Sequence, residues 1–131
     1  MDTLKKYIEE VNKDLHIDDF NLKDAQMKLP SRKHFWVARL MDAKINRGKL
    51  LSKKKQHKKE LVSRIIAESP VKITTQTAES AAENTPDIEI INEKLKELEY
   101  IIEYLEKVEK IFSSMHWEIK NIVQINQMEQ L

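Results

Sequence analysis

The sequence predicts a mainly all-α protein, and three observations carry that prediction. One glycine (Gly48) and three prolines among 131 residues leave too few turn residues for a many-stranded sheet. Charged residues make up 34% and hydrophobic residues 40%, the balance of a helical protein rather than a disordered one. Apolar positions also recur at helical spacing over most of the chain. The glycine count further excludes Walker-type phosphate loops and dinucleotide-binding turns, which bring several backbone N–H groups close to phosphate.

Taken in order, residues 3–15 predict a short amphipathic helix, because Leu4, Tyr7, Ile8, Val11 and Leu15 share one face. The Asp18–Asp19 pair supplies an N-cap before Phe20, Leu22, Ala25 and Met27. Good helix formers then run from Pro30 and Ser31 to about Ile66, a long basic helix with a kink expected near Pro30 or Gly48. Residues 69–86, SPVKITTQTAESAAENTP, change composition to Ser, Thr, Ala and Pro. They predict a linker or partly disordered loop, in which VKITT could add a short strand. Thr85 and Pro86 have the form of an N-cap and first helical position, with Asp87 and Glu89 favourable in the first turn. The expected organisation is thus 1–68 as a helical region carrying the basic segment, 69–86 as linker, and 87–131 as a C-terminal helix.

That last helix carries the clearest periodicity. Ile101, Leu105, Val108, Phe112, Met115, Ile119 and Ile122 follow a 4, 3, 4, 3, 4, 3 spacing, a heptad seam. Ile91, Leu95, Leu98, Ile102 and Leu105 form a second seam upstream. An intramolecular bundle is one reading. Self-association is the favoured one, since only the short first helix and parts of the basic helix are available as cover. Leu98 and the seven seam residues are therefore the expected oligomerisation surface, with Trp117 read as a structural residue of the same helix.

The near-neutral net charge of +1 conceals strong segregation. Residues 28–64 hold thirteen Lys/Arg against only Asp42 and Glu60, while the flanking regions are acidic. Such a block marks a polyanion-binding element or an interface for an acidic protein; a solvated, paired helix face is the bland alternative. Its centre, SKKKQHKKE at residues 52–60, has no apolar side chain over about 13 Å of helix. On a helical wheel Lys44, Arg47, Lys54, Lys55, Lys58 and Lys59 share one arc of roughly 140°. Phe35 and Trp36 precede the block, and Trp36 has two readings: a ring that stacks on bases, or a core anchor beside Leu40.

No catalytic constellation is present. The four histidines, His16, His34, His57 and His116, are far apart, and with no cysteine there are no thiolate ligands, disulfides or nucleophilic thiols. No Gly-x-Ser-x-Gly turn occurs. A non-enzymatic protein without cofactor or metal is expected. No apolar run reaches membrane-spanning length and the first residues lack a signal-peptide stretch, so a soluble, intracellular protein is expected.

With these features in place, the layout resembles the UvsY recombination mediator family of T-even-type bacteriophages. The resemblance begins at KDLHID (Lys13–Asp18), continues through Trp36 and a Lys-rich helix, and resumes at SSMHWEIKNI (Ser113–Ile122). It implies a non-catalytic binder of single-stranded DNA, acting in the host cytoplasm. Such a protein loads a recombinase onto strands covered by single-strand-binding protein. It also implies a ring-like homo-oligomer, hexamer or heptamer, held largely through C-terminal helices. The family's basic-aromatic motif, of the type K-A-R-L-D-Y-Y, corresponds here to KKKQHKKELVSRI (Lys53–Ile65), with Lys58, Lys59 and Arg64 as basic counterparts. The tyrosine pair is absent, which leaves backbone binding as the implied mode. The expected strand-contact set is Trp36, Lys44, Arg47, Lys53, Lys54, Lys55, Lys58, Lys59 and Arg64. A coiled-coil scaffold whose basic helix docks an acidic protein is the alternative from another class.

Overall fold

The computed structural model describes residues 2–18 and 20–130. It contains α1 (Asp2–Leu15), α2 (Leu22–Glu68), α3 (Thr75–Glu83) and α4 (Pro86–Gln130), with no strand among the described residues. The chain divides into two compact units, Met1–Asp42 with Tyr100–Leu131, and Ala43–Glu99. This division cuts across the expected 1–68, 69–86 and 87–131 segments, because α2 and α4 each contribute a stretch to both units.

In the first unit α1 and the start of α2 form an antiparallel pair. Between them, Asp18 builds the turn: its Oδ1 accepts from the backbone N–H of Phe20 and Asn21, both at 2.9 Å, and its own N–H donates to Asn21 Oδ1 at 2.7 Å. The Asn21 N–H, with contributions from Phe20 and His16, holds the Asp18 carboxyl below its usual range. Asp19, the other half of the expected cap, lies outside the described residues. Phe20 is almost fully exposed. The helix continues through Pro30, an exposed position that forgoes one backbone hydrogen bond without ending it.

The core of this unit contains Val11, Trp36, Leu40, Ile101, Leu105, Val108, Phe112, Met115 and Ile119, all buried. The heptad seam is therefore covered inside the chain, against the expectation that it faces a second copy. Leu98 and Ile122 are half-buried. The reason is bulk: the 1% exposed Trp36, with Val11 and Leu40, supplies cover that the periodicity of α4 alone cannot reveal.

The second unit has its own core. Leu61 of α2, Ala82 of α3, and Ile88, Ile91 and Leu95 of α4 form one buried cluster, with Leu50, Val62 and Ile65 packed against it. Residues 75–83, expected as linker, form α3 instead. Thr74 caps it, its Oγ1 accepting from the Thr77 N–H at 3.1 Å, and the fully buried Ala78 and Ala82, four residues apart, are its packing face. Residues 71–74 are irregular rather than a strand. Pro86 opens α4 as expected, but the Thr85 hydroxyl donates back to the Ala82 carbonyl at 2.8 Å, tying α3 to α4.

Truncating Phe112 to alanine removes a 2% exposed ring from the first unit's core. The expected cost is about 3–5 kcal/mol of unfolding free energy in urea titration. A loss below about 1 kcal/mol would show that the ring is not enclosed.

Candidate nucleic-acid interface

The lysine-rich stretch of α2 separates into an inward and an outward set. The apolar stripe Leu50, Leu61 and Ile65 continues through positions 54 and 57, where helical spacing places Lys54 and His57. Their aliphatic and ring carbons pack while their polar ends find partners. Lys54 Nζ donates to Glu83 Oε1 at 3.1 Å, and Lys58 Nζ stands 2.9 Å from Glu83 Oε2. Asn92 Nδ2 donates to the same Oε1 at 3.0 Å. Glu83 Oε2 is closed off from solvent. Lys58, Asn92 and Lys54, in that order of influence, hold the Glu83 carboxyl at a pKa of about 2. His57 Nε2 lies 3.4 Å from Asp87 Oδ2, and Arg47 pairs with Glu99 at 3.5 Å. These pairs set the α2 and α4 stretches of this unit antiparallel.

The outward set is different. Lys53, Lys55, Lys59 and Arg64 are exposed and carry no ion pair among the described residues. Lys49, absent from the sequence-based set, is exposed in the same way and lies four residues before Lys53. Its place on the helical wheel, roughly 120° from the centre of the packed stripe, is the signal that finds it. Lys55 and Lys59 make a second i, i+4 pair. Such like-charged pairs repel one another until an anion is present. Lys44 is also exposed but engaged with another group.

Trp36 is no part of this surface. Its indole N–H donates to Asp14 Oδ2 at 2.8 Å, and the same oxygen accepts from Arg32 Nε at 3.0 Å. Arg39 lies over the Tyr7, Phe35 and Trp36 rings at 4.7, 4.4 and 5.0 Å from their centroids and donates to Glu10 Oε2 at 2.6 Å. A ring enclosed in this way cannot stack on a base, so the core-anchor reading holds and the base-stacking one is corrected. Trp117 reverses its expectation too. It is 62% exposed, with Lys120 Nζ 5.1 Å from its centroid.

Other features offer little chemistry. A groove of about 420 Å³ in the second unit is lined by Lys53, His57, Lys94 and Ile90, but Glu60 and Asp87 oppose anion binding there. No group of three or more metal-ligating side chains occurs among the described residues. None of the helices is long and apolar enough to cross a membrane, again among the described residues.

The class these features define is an all-α protein of two compact helical units, with an unpaired lysine row on its longest helix. Its fold is that of the bacteriophage T4 recombination mediator protein UvsY. One crystal structure of UvsY (lattice type IV) matches with a TM-score of 0.83 and 16% identity, covering 96% of this chain and 98% of that one. A second (lattice type II) matches with a TM-score of 0.80 and 16% identity, covering 98% of both chains. No protein-family profile and no curated protein sequence matches. The fold thus agrees with the one that the sequence resemblance implies.

The Glu83 network has a defined pH signature. With the carboxyl lowered from 4.5 to about 2, its contribution to stability is complete above pH 4.5 and is lost as pH falls towards 2. The difference in unfolding free energy between the wild-type protein and Glu83→Gln should be constant above pH 4.5 and close by about pH 2. A difference that stays constant down to pH 2 would refute the network.

Proposed function

We propose that this protein is a recombination mediator that binds single-stranded DNA and helps load a recombinase onto strands covered by single-strand-binding protein. The observation that carries the reading is the outward lysine row of α2, cations without counter-charges, on a fold shared with a known mediator. Lys49, Lys53, Lys55 and Lys59, with Arg64 beyond, attract the phosphate backbone and release its counterions. Binding is sequence-indifferent and salt-sensitive, since no exposed aromatic interrupts the row to read bases.

Replacing Lys49, Lys53, Lys55 and Lys59 by glutamine should weaken binding to labelled oligo-dT by more than about tenfold in fluorescence anisotropy. The slope of log affinity against log salt should flatten by about 0.7 per lysine removed. Unchanged affinity and slope would refute the site. A wild-type protein that fails to bind even at low salt would instead point to an acidic protein as the partner of α2.

The mediator reading includes a homo-oligomer. With the heptad seam covered within the chain, assembly uses the outward face of α4, where Tyr100, Ile111, Trp117, Ile125 and Met128 are 42–72% exposed. Replacing Trp117 and Ile125 by glutamate should give a helical monomer in sedimentation velocity. A wild-type protein that already sediments as a monomer at tens of micromolar would overturn the assembly.

A further inference from the structure

Three polar groups from two other helices converge on Glu83: Lys54 of α2 and Asn92 of α4 donate to Oε1 at 3.1 and 3.0 Å, and the Lys58 ammonium of α2 stands 2.9 Å from Oε2. Glu83 is also the last residue of α3, a nine-residue helix whose packing face is two alanines. The donors are fixed on the two long helices and the anion sits on the shortest one. That is the construction of an exchangeable ligand on a rigid site. A phosphodiester carries one negative charge over two non-bridging oxygens, which is the charge and the pair of acceptors that a carboxylate presents.

We propose that Lys54, Lys58 and Asn92 form a phosphodiester site in which Glu83 is the resident anion, displaced by a strand phosphate when DNA binds. The inference rests on the strand-binding reading and concerns regulation of the same helix. Lys55 lies three residues before Lys58, the spacing at which helical side chains are neighbours, so a strand captured on Lys55 and Lys59 lies one side chain from the inward site. A cleft of about 350 Å³, lined by Lys58, Gln76, Ser80 and Asn84 beside Glu83, opens that site on the α3 side; Glu79, at its rim, is a second acid that an entering phosphate has to pass. Exchange frees Glu83 and loosens α3, which couples strand binding to the release of residues 75–83. The outward lysines then capture the strand and the inward pair holds it only after Glu83 has left.

The test is oligo-dT anisotropy on the full chain with Glu83→Gln, a near-isosteric change that keeps the Asn92 hydrogen bond possible. Removing the competing anion should raise affinity about five- to tenfold, because the competent state no longer has to be selected against a closed one. Adding Lys54→Gln and Lys58→Gln to that variant should abolish the gain. Independently of any variant, saturating oligo-dT should speed hydrogen exchange at the wild-type α3 amides, including the Ala78 N–H that donates to Thr74. Tight binding by the wild type with neither an affinity gain in Glu83→Gln nor faster α3 exchange overturns the exchange site and leaves the outward row standing. Failure of both proteins to bind at low salt overturns the strand-binding reading and this inference with it.

Discussion

A lysine cannot continue an apolar stripe on a packed helix unless an anion meets its ammonium group, because the cost of desolvating a lone charge exceeds the gain from burying its methylenes. Residues 52–60 of α2 impose this problem on the second unit. The stripe through Leu50 and Leu61 passes over Lys54 and His57, with Lys58 alongside. Much of the unit's remaining architecture answers it. The Glu83 carboxylate meets two lysines, Asp87 meets His57, and Asn92 supplies a neutral donor that fixes the carboxylate's orientation. Without α3, Lys54 and Lys58 would lose the carboxylate they share, while His57 would keep Asp87 of α4. The short helix therefore acts less as a connector than as the carrier of one negative charge.

The first unit meets a related demand with aromatic rings. Asp14 ties the Trp36 indole to the Arg32 guanidinium, while Arg39 covers three rings and is itself neutralised by Glu10. Stacking arginine on rings and pairing it with acids allows two basic side chains to line the edge of a core. That lock holds Trp36 buried in the unit whose core also holds Leu105, Val108 and Phe112 of the heptad seam. The apolar side chains of α4 left exposed then lie on its less regular outward face, where polar residues interrupt Tyr100, Ile111 and Ile125. Under the proposed assembly, an interface so diluted would rely on repetition around the oligomer rather than on one continuous stripe.

What was legible in the sequence follows the same physics. The three longer helices are readable because their apolar periodicity is a property of one segment. Periodicity also identifies Ile101 to Ile119 as a buried face, yet it does not say whose side chains do the burying. Trp36 is settled by Asp14, twenty-two residues earlier, through a contact no local pattern encodes. α3 escapes notice because its packing face is Ala78 and Ala82, residues too small to register as an apolar stripe. The division of the lysines was within reach: extending the Leu50–Leu61 stripe by four and seven residues lands on Lys54 and His57. Treating the basic block as one arc hid it, because a wheel of charges alone does not mark which side of the helix is packed.

The separation of the lysines matters for how a strand would be held. Cations that differ only in position on one helix normally act as a single electrostatic patch, with affinity graded by salt and by the number of phosphates in reach. Here the inward pair already shares a carboxylate and the outward lysines have none, so the first contacts of a strand would fall on side chains with no ion pair to break. Any contact with the inward pair has to displace a carboxylate whose low pKa reflects how well it is held. A mediator has to take up a strand and later surrender it, and a single tight site serves that cycle poorly. In the proposed cycle, weak outward contacts repeated over an assembly would give avidity while each stayed individually reversible, and the carboxylate would return to close the inward site as the strand leaves.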